Sequence, residues 1–174
     1  VARNASVEVF FHAEDNNQPD VEMANELAGK HTEIDIAMYA LNRQGIVDAI
    51  QNAYSACECV RLISDATQAG SDPKQTTALA QLQAAGVPIK VDSHSGLMHM
   101  KAIAVDSGIL LVGSFNATNA ASTTNDEILL RIGSTATVQR FVDEYNKMWN
   151  DSRRFKNWQA PPGTVTPVPA LGNF

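Results

Sequence analysis

His99 and Lys101 stand two residues apart in the stretch His99-Met100-Lys101-Ala102-Ile103-Ala104-Val105-Asp106. On an extended strand side chains alternate between faces, so His99 and Lys101 would share one face and Met100 would take the other. An imidazole beside an ammonium suits an anionic substrate. The imidazole can attack phosphorus or carry a proton, and the ammonium can neutralise phosphoryl oxygens. A His-x-Lys pair alone also occurs on solvated strand edges, so the neighbouring residues decide its meaning. Asp106 follows Lys101 after four residues, and Gly113-Ser114-Phe115-Asn116 comes one strand later, with Glu127 beyond it. Ser114 and Asn116, two apart at a strand end, can donate to one phosphoryl group. A carboxylate at Glu127 can orient an imidazole through its second ring nitrogen.

These residues need a scaffold, and the hydrophobic patterning predicts one. Strands are expected at Val7–Phe11, Ile34–Ala40, Cys59–Ile63, Val87–Val91, Met100–Val105, Ile109–Val112 and Glu127–Ile132, from their alternation and β-branched content. Helices are expected at Val21–Gly29, Arg43–Ala56, Pro73–Ala85 and Thr135–Trp149. Asp72 would cap the third of these, with Pro73 at its first position and Gly86 closing it. Asp106-Ser107-Gly108 reads as a hairpin turn, and Asp15–Asp20 and Gln68–Asp72 as polar loops. Asn116–Asn125 reads as a loop or short helix. Strands alternating with helices, then a late hairpin, imply an α/β fold with a mixed, mostly parallel β-sheet flanked by helices on both faces. One domain is expected over 1–158. The Pro-rich stretch 159–174 reads as a tail or linker.

At 174 residues, 44% apolar and 18% charged, the chain has the composition of a globular domain with a buried core. No apolar run approaches the length of a membrane span. The net charge of -6 argues against a strong generic nucleic-acid binder, without excluding a basic cleft on an acidic body. Cys57 and Cys59 are too close for a usual disulfide geometry and read as small apolar residues entering a strand. The chain begins at Val1 rather than Met, which is compatible with a removed export signal and on that condition favours a periplasmic or secreted location.

The segment His-x-Lys-x4-Asp, with its trailing Gly-Ser-x-Asn and downstream Glu, resembles the HKD motif of the phospholipase D superfamily. The span Val7–Trp158 is similar in order to the small single-motif bacterial endonucleases of that superfamily and to its mitochondrial and piRNA-pathway members. The resemblance implies that His99 is the nucleophile, forming a phosphohistidine. Lys101 and Asn116 would bind the phosphoryl oxygens, Ser114 and Glu127 would orient the histidine, and Asp106 would be structural. It also implies catalysis without metal or other cofactor. One motif per chain implies a C2 homodimer in which two His99 residues meet near the axis.

The substrate expected on this basis is DNA or RNA. The alternative is phospholipid headgroups, and a binding module that has lost catalysis is disfavoured by the intact His, Lys, Ser, Asn and Glu set. His12, His31 and His94 read as surface or turn residues; His12 follows the first strand and is a candidate for the rim of the site, and His94 lies on the loop just before the motif. Arg43 and Lys90 are candidate cations near the cleft. Arg153, Arg154 and Lys156 read as a solvated helix terminus.

Overall fold

The computed structural model describes residues 6–12 and 18–164. The strands are β1 (Ser6–Phe11), β2 (Ile34–Met38), β3 (Val60–Ser64), β4 (Ile89–Asp92), β5 (Lys101–Val105), β6 (Ile109–Gly113), β7 (Ile128–Gly133) and β8 (Phe155–Asn157). The helices are α1 (Pro19–Leu27), α2 (Gln44–Cys57), α3 (Ala66–Ser71), α4 (Pro73–Ala84), α5 (Asn119–Thr123) and α6 (Thr135–Asn150). The expected polar turn from Asp15 falls partly outside the described residues, as does the Pro-rich tail beyond Thr164.

All the strands join one mixed sheet in the order β1-β7-β6-β5-β2-β3-β4-β8. The α/β class and the mixed sheet agree with the sequence expectation, but the parallel bias does not. Only β2–β3 and β3–β4 pair in parallel, and the other five pairings are antiparallel. The reason lies in the connections. Short links such as Asp106-Ser107-Gly108 return the chain as a hairpin, whereas the α2 and α3–α4 crossovers bring a strand back in parallel beside the one it left.

Alternation along the central strands serves two layers of helix. Ile34, Ile36 and Met38 of β2 and Ile103 and Val105 of β5 bury on the side of α1, α2 and α4. Ala37 and Ile63 face Tyr145 and Met148 of α6, and Ala102 and Ala104 face Val138 and Val142. The small alanines let α6 lie close to the sheet, while bulky residues fill the opposite side. The α6 apolar positions recur at helical spacing, as the sequence pattern predicts.

Three local expectations are overturned. Cys57 and Cys59 form a disulfide, with Cα atoms 5.1 Å apart. The expectation assumed that both lie on one strand, but Cys57 ends α2 and the intervening Glu58 adopts a left-handed conformation (φ 52), which turns the two sulfurs together. The loop at Gln68–Asp72 is largely helix α3, started by Asp65, whose carboxylate accepts from Gln68 N at 2.9 Å. The Arg153–Lys156 segment is not a solvated helix terminus, because α6 ends at Asn150 and the segment runs into β8, which pairs antiparallel with β4. The chain also stays docked slightly past residue 158: Ala160 N donates to Gln83 Oε1 at 2.9 Å.

Candidate functional site

The C-terminal ends of β2, β3 and β6 and the N-terminal ends of β5 and β7 lie at one end of the sheet, as the antiparallel registers require. All the residues expected to act on a phosphoryl group are carried to that end, whereas Asp106, expected to be structural, is not. Lys101 opens β5 opposite Met38. His99 sits in the preceding loop rather than on the strand itself. Its placement is still strand-like, because Tyr39 N donates to Met100 O at 2.9 Å and so extends the β2–β5 pairing.

The loop is pinned from below. Asp65 is fully buried at the end of β3, and its carboxylate accepts from Met98 N at 3.2 Å as well as capping α3. A buried Gln75 on α4 ties the neighbouring turn together, accepting from Leu41 N at 2.9 Å and donating to Ser64 Oγ at 2.9 Å. The imidazole is therefore presented by a rigid backbone.

His99 is exposed, and its ring lies 4.6 Å from that of Tyr39. Lys101 is buried, with Nζ donating to the His99 carbonyl at 2.8 Å and lying 4.7 Å from the Tyr39 ring centre. One tyrosine thus contacts both members of the pair. Its hydroxyl is held in turn by Gln68 Nε2 at 2.9 Å. Burial lowers the Lys101 pKa from its ordinary value, and the carboxylates of Glu127 and Asp65 act against that shift.

Ser114 and Glu127 meet directly: Ser114 Oγ donates to a Glu127 carboxylate oxygen and accepts from Ile128 N at 3.2 Å. Asn125 Nδ2 donates to the other Glu127 oxygen at 3.2 Å. Gly113 makes this possible. A Cβ at that position would stand 2.1 Å from Ile128 O, so only glycine lets β6 and β7 run this close beside Ser114. Asn116 is half-buried, and its Oδ1 is enclosed without a hydrogen-bond partner among the described residues. Among the described residues, no hydrogen bond joins Glu127 to the His99 ring.

Asp106 lies at the far end of β5. It accepts from Thr32 N at 2.7 Å, Thr32 Oγ1 at 2.9 Å and Glu33 N at 3.2 Å, and its Oδ2 is 3.2 Å from His31 Nδ1. It is a staple between the β5–β6 turn and the entry to β2, at the opposite end of β5 from Lys101.

The remaining candidates sort clearly. Arg43 is neutralised by Asp20 at 2.9 Å, and Lys90 Nζ donates to Trp149 O at the end of α6. His12 N donates to Glu127 O at 3.1 Å, so His12 adjoins the site through its backbone. His94 packs against Phe155 of β8, with ring centres 5.7 Å apart. Tyr39, Asp65 and Gln68 were not legible as site residues. Tyr39 reads as one more strand residue, and spacing gives no sign that β3 ends and α3 begins against the His99 loop.

An exposed imidazole and a buried ammonium against one tyrosine, with a serine–carboxylate pair and an amide at the same end of a mixed sheet, can serve phosphoryl transfer. Residues 23–149 match the family model described as "Cardiolipin synthase, PLD-like domain". The chain belongs to this phospholipase D-like family. It is similar to the mitochondrial cardiolipin hydrolase of Chlamydomonas reinhardtii, 28% identical over 67% of this chain and 51% of that protein. The human mitochondrial cardiolipin hydrolase is 26% identical over 78% of this chain and 53% of that protein. The chain spans about half the length of these relatives. In fold it is similar to Nuc of Salmonella typhimurium, a phospholipase D family member, with TM-score 0.79 and 24% identity over 89% of this chain and 99% of that one. NucT from Helicobacter pylori gives TM-score 0.71 and 21% identity over 83% and 96%.

Proposed function

We propose that the protein is a metal-independent phosphodiesterase that hydrolyses nucleic-acid phosphodiester bonds through a phosphohistidine, in a site shared by two subunits. The observation that carries this reading is the exposed His99 ring and the buried ammonium of Lys101, both against the Tyr39 ring, with the ammonium bonded to the His99 carbonyl. A His99 ring nitrogen attacks phosphorus as the bond to the leaving oxygen breaks. The protonated His99 of a second subunit gives its proton to that oxygen. The same imidazole then takes a proton from water, which attacks phosphorus and breaks the P–N bond, releasing a phosphomonoester and free His99.

Lys101 and Asn116 bind the non-bridging oxygens, with the charge of Lys101 strengthened by its dry surroundings. Ser114 and Glu127 form the polar wall that fixes the imidazoles when substrate and second subunit are in place. Leu97 and Met100, flanking His99, are 54% and 40% exposed. Such apolar residues beside a catalytic group fit burial against a second copy better than lasting contact with water.

Nucleic acid is favoured as substrate by the likeness of Val7–Trp158 to single-motif endonucleases. Phospholipid is the second reading. It is favoured by the names of the cardiolipin hydrolases, and the apolar rim at Leu97 and Met100 would suit it. Purified protein is expected to degrade DNA in EDTA and to lose this activity in His99→Ala. Activity that needs added divalent metal, or that survives His99→Ala, refutes the mechanism. Turnover of phosphatidylcholine or cardiolipin vesicles with no cleavage of DNA or RNA transfers the reading to lipid. Light scattering that gives a monomer at working concentration removes the shared site.

A further inference from the structure

On a chain with 19 carboxylate residues against 13 Lys and Arg, two of the stretches free of Asp and Glu meet in the fold. One is Ser93–Val105, the loop and strand that present His99 and Lys101. The other runs from Ser152 to the end of the sequence. The fold fastens them together. Ser93 N donates to Arg154 O at 2.7 Å, Ser93 Oγ donates to Arg153 O at 3.0 Å, and Asp92 pairs with Phe155 where β4 meets β8. His94 lies edge-on against Phe155, and the Arg154 guanidinium sits 5.9 Å from the same ring. The basic turn Arg153-Arg154 therefore occupies the catalytic end of the sheet and is fixed in place by backbone hydrogen bonds.

Its charge is largely unspent. The Arg153 side chain is 93% exposed, with only a 3.7 Å approach to Asp151, whose Oδ1 also accepts from Arg153 N at 3.0 Å. Arg154 and Lys156 are exposed, and no carboxylate pairs with either among the described residues. By contrast, Arg43, Arg61 and Arg131 are each paired with acids. Strands β5 and β8 are four steps apart in the sheet, about 19 Å at the usual strand spacing. That distance matches about five to six nucleotide steps along one strand of a duplex.

We propose that Arg153, Arg154 and Lys156 form an auxiliary phosphate track that holds the backbone of a nucleic-acid strand several nucleotides from the phosphate cleaved at His99. This rests on the nuclease reading for its substrate, and the track confers preference for polymers over small phosphodiesters. A mobile cationic tail would act only by diffuse attraction, whereas a ridge anchored to the His99 loop sets both distance and direction.

The test compares wild-type protein with the triple variant Arg153→Gln, Arg154→Gln, Lys156→Gln, all three being surface positions. Binding of a fluorescein-labelled 30-nucleotide DNA is read by anisotropy in EDTA, and hydrolysis of bis(p-nitrophenyl) phosphate is read separately. The variant is expected to bind about 10-fold more weakly near 0.1 M salt. Its slope of log affinity against log salt should fall by about 2, from three lost single-strand contacts. Hydrolysis of the small diester should be unchanged. Equal DNA affinity and equal salt slope in the two proteins overturn the proposal. So does a defect confined to binding of cardiolipin vesicles, which would assign the ridge to a membrane surface. If wild type binds DNA through the ridge but cleaves none, the nuclease reading fails while the track stands.

Discussion

At the amino-terminal end of β5, Lys101 is buried with one hydrogen bond to a backbone carbonyl, and burial depresses its pKa. Beside it the His99 imidazole rests on Tyr39, and an Asn116 oxygen is enclosed without a partner among the described residues. At the carboxyl-terminal end, Asp106 is saturated: the Thr32 N–H, the Thr32 hydroxyl and the Glu33 N–H all donate to it, and His31 lies within reach. One short motif therefore contains polar groups in opposite conditions. Unsatisfied polar groups cost stability and are retained where a substrate will satisfy them, whereas saturated ones hold the fold together. The difference predicts that substitutions at the two ends act with opposite effects on activity and stability.

Lys101→Met should break the comparison most visibly. It keeps the length of the side chain and removes a charge that burial disfavours. Activity should fall by about 10³-fold, the scale for losing one group that stabilises developing charge. The melting temperature should hold or rise, because a desolvation cost is removed with the ammonium. A large loss of stability would mean that Lys101 belongs to the structural end after all. Glu127→Gln is the next in size, with activity down by about 10²-fold. It also carries a signed pH effect. Glu127 supports the protonated form of Lys101 against desolvation, so its neutralisation lets Lys101 lose its proton sooner. The alkaline limb of the pH–rate profile should move to lower pH. An unmoved limb would separate Glu127 from Lys101.

This contrast also explains how far the sequence could be read. The candidate set was legible because a motif concentrates it: His99, Lys101, Ser114, Asn116 and Glu127 come from strand ends that the antiparallel pairings bring to one edge. The α/β class followed from alternating periodicities, and the cap at Asp72 from its place before Pro73. What escaped depended on contacts between distant segments. Tyr39 joins the site only because β2 and β5 pair, and Asp65 only because β3 ends beneath the His99 loop. The excess of antiparallel pairing depends on which strands end up as neighbours, which periodicity does not encode. The Cys57–Cys59 bridge needed a left-handed Glu58 at the helix end, a backbone state that composition alone does not announce. The Arg153-Arg154 turn read as solvent-facing helix because the β4–β8 pairing is set by a strand of only three residues.

Asp106→Asn should give the smallest effect and the sharpest one. Partial burial acts to raise the Asp106 pKa, but the hydrogen bonds from Thr32, His31 and Glu33 outweigh it and hold the carboxyl at about 2. A carboxyl depressed in the folded state stabilises the fold at pH values above its unfolded pKa. That stability is lost as pH falls through the folded value. The window here therefore runs from about 4 down to about 2. The Asp106 side chain is 39% exposed, so solvent screening discounts the gain. A loss of about 1 kcal/mol is expected for Asp106→Asn at neutral pH, or about 3 °C in melting temperature for a chain of this size. Between pH 5 and 8 the gap between wild type and variant should stay constant, and it should close as pH falls from 4 towards 2. Activity at neutral pH should stay within a few-fold of wild type. A gap that persists unchanged at pH 2 would show that the staple works through shape rather than charge. A collapse of activity in a protein that is still folded would move Asp106 to the catalytic end of β5, and the opposition between the two ends would fall with it.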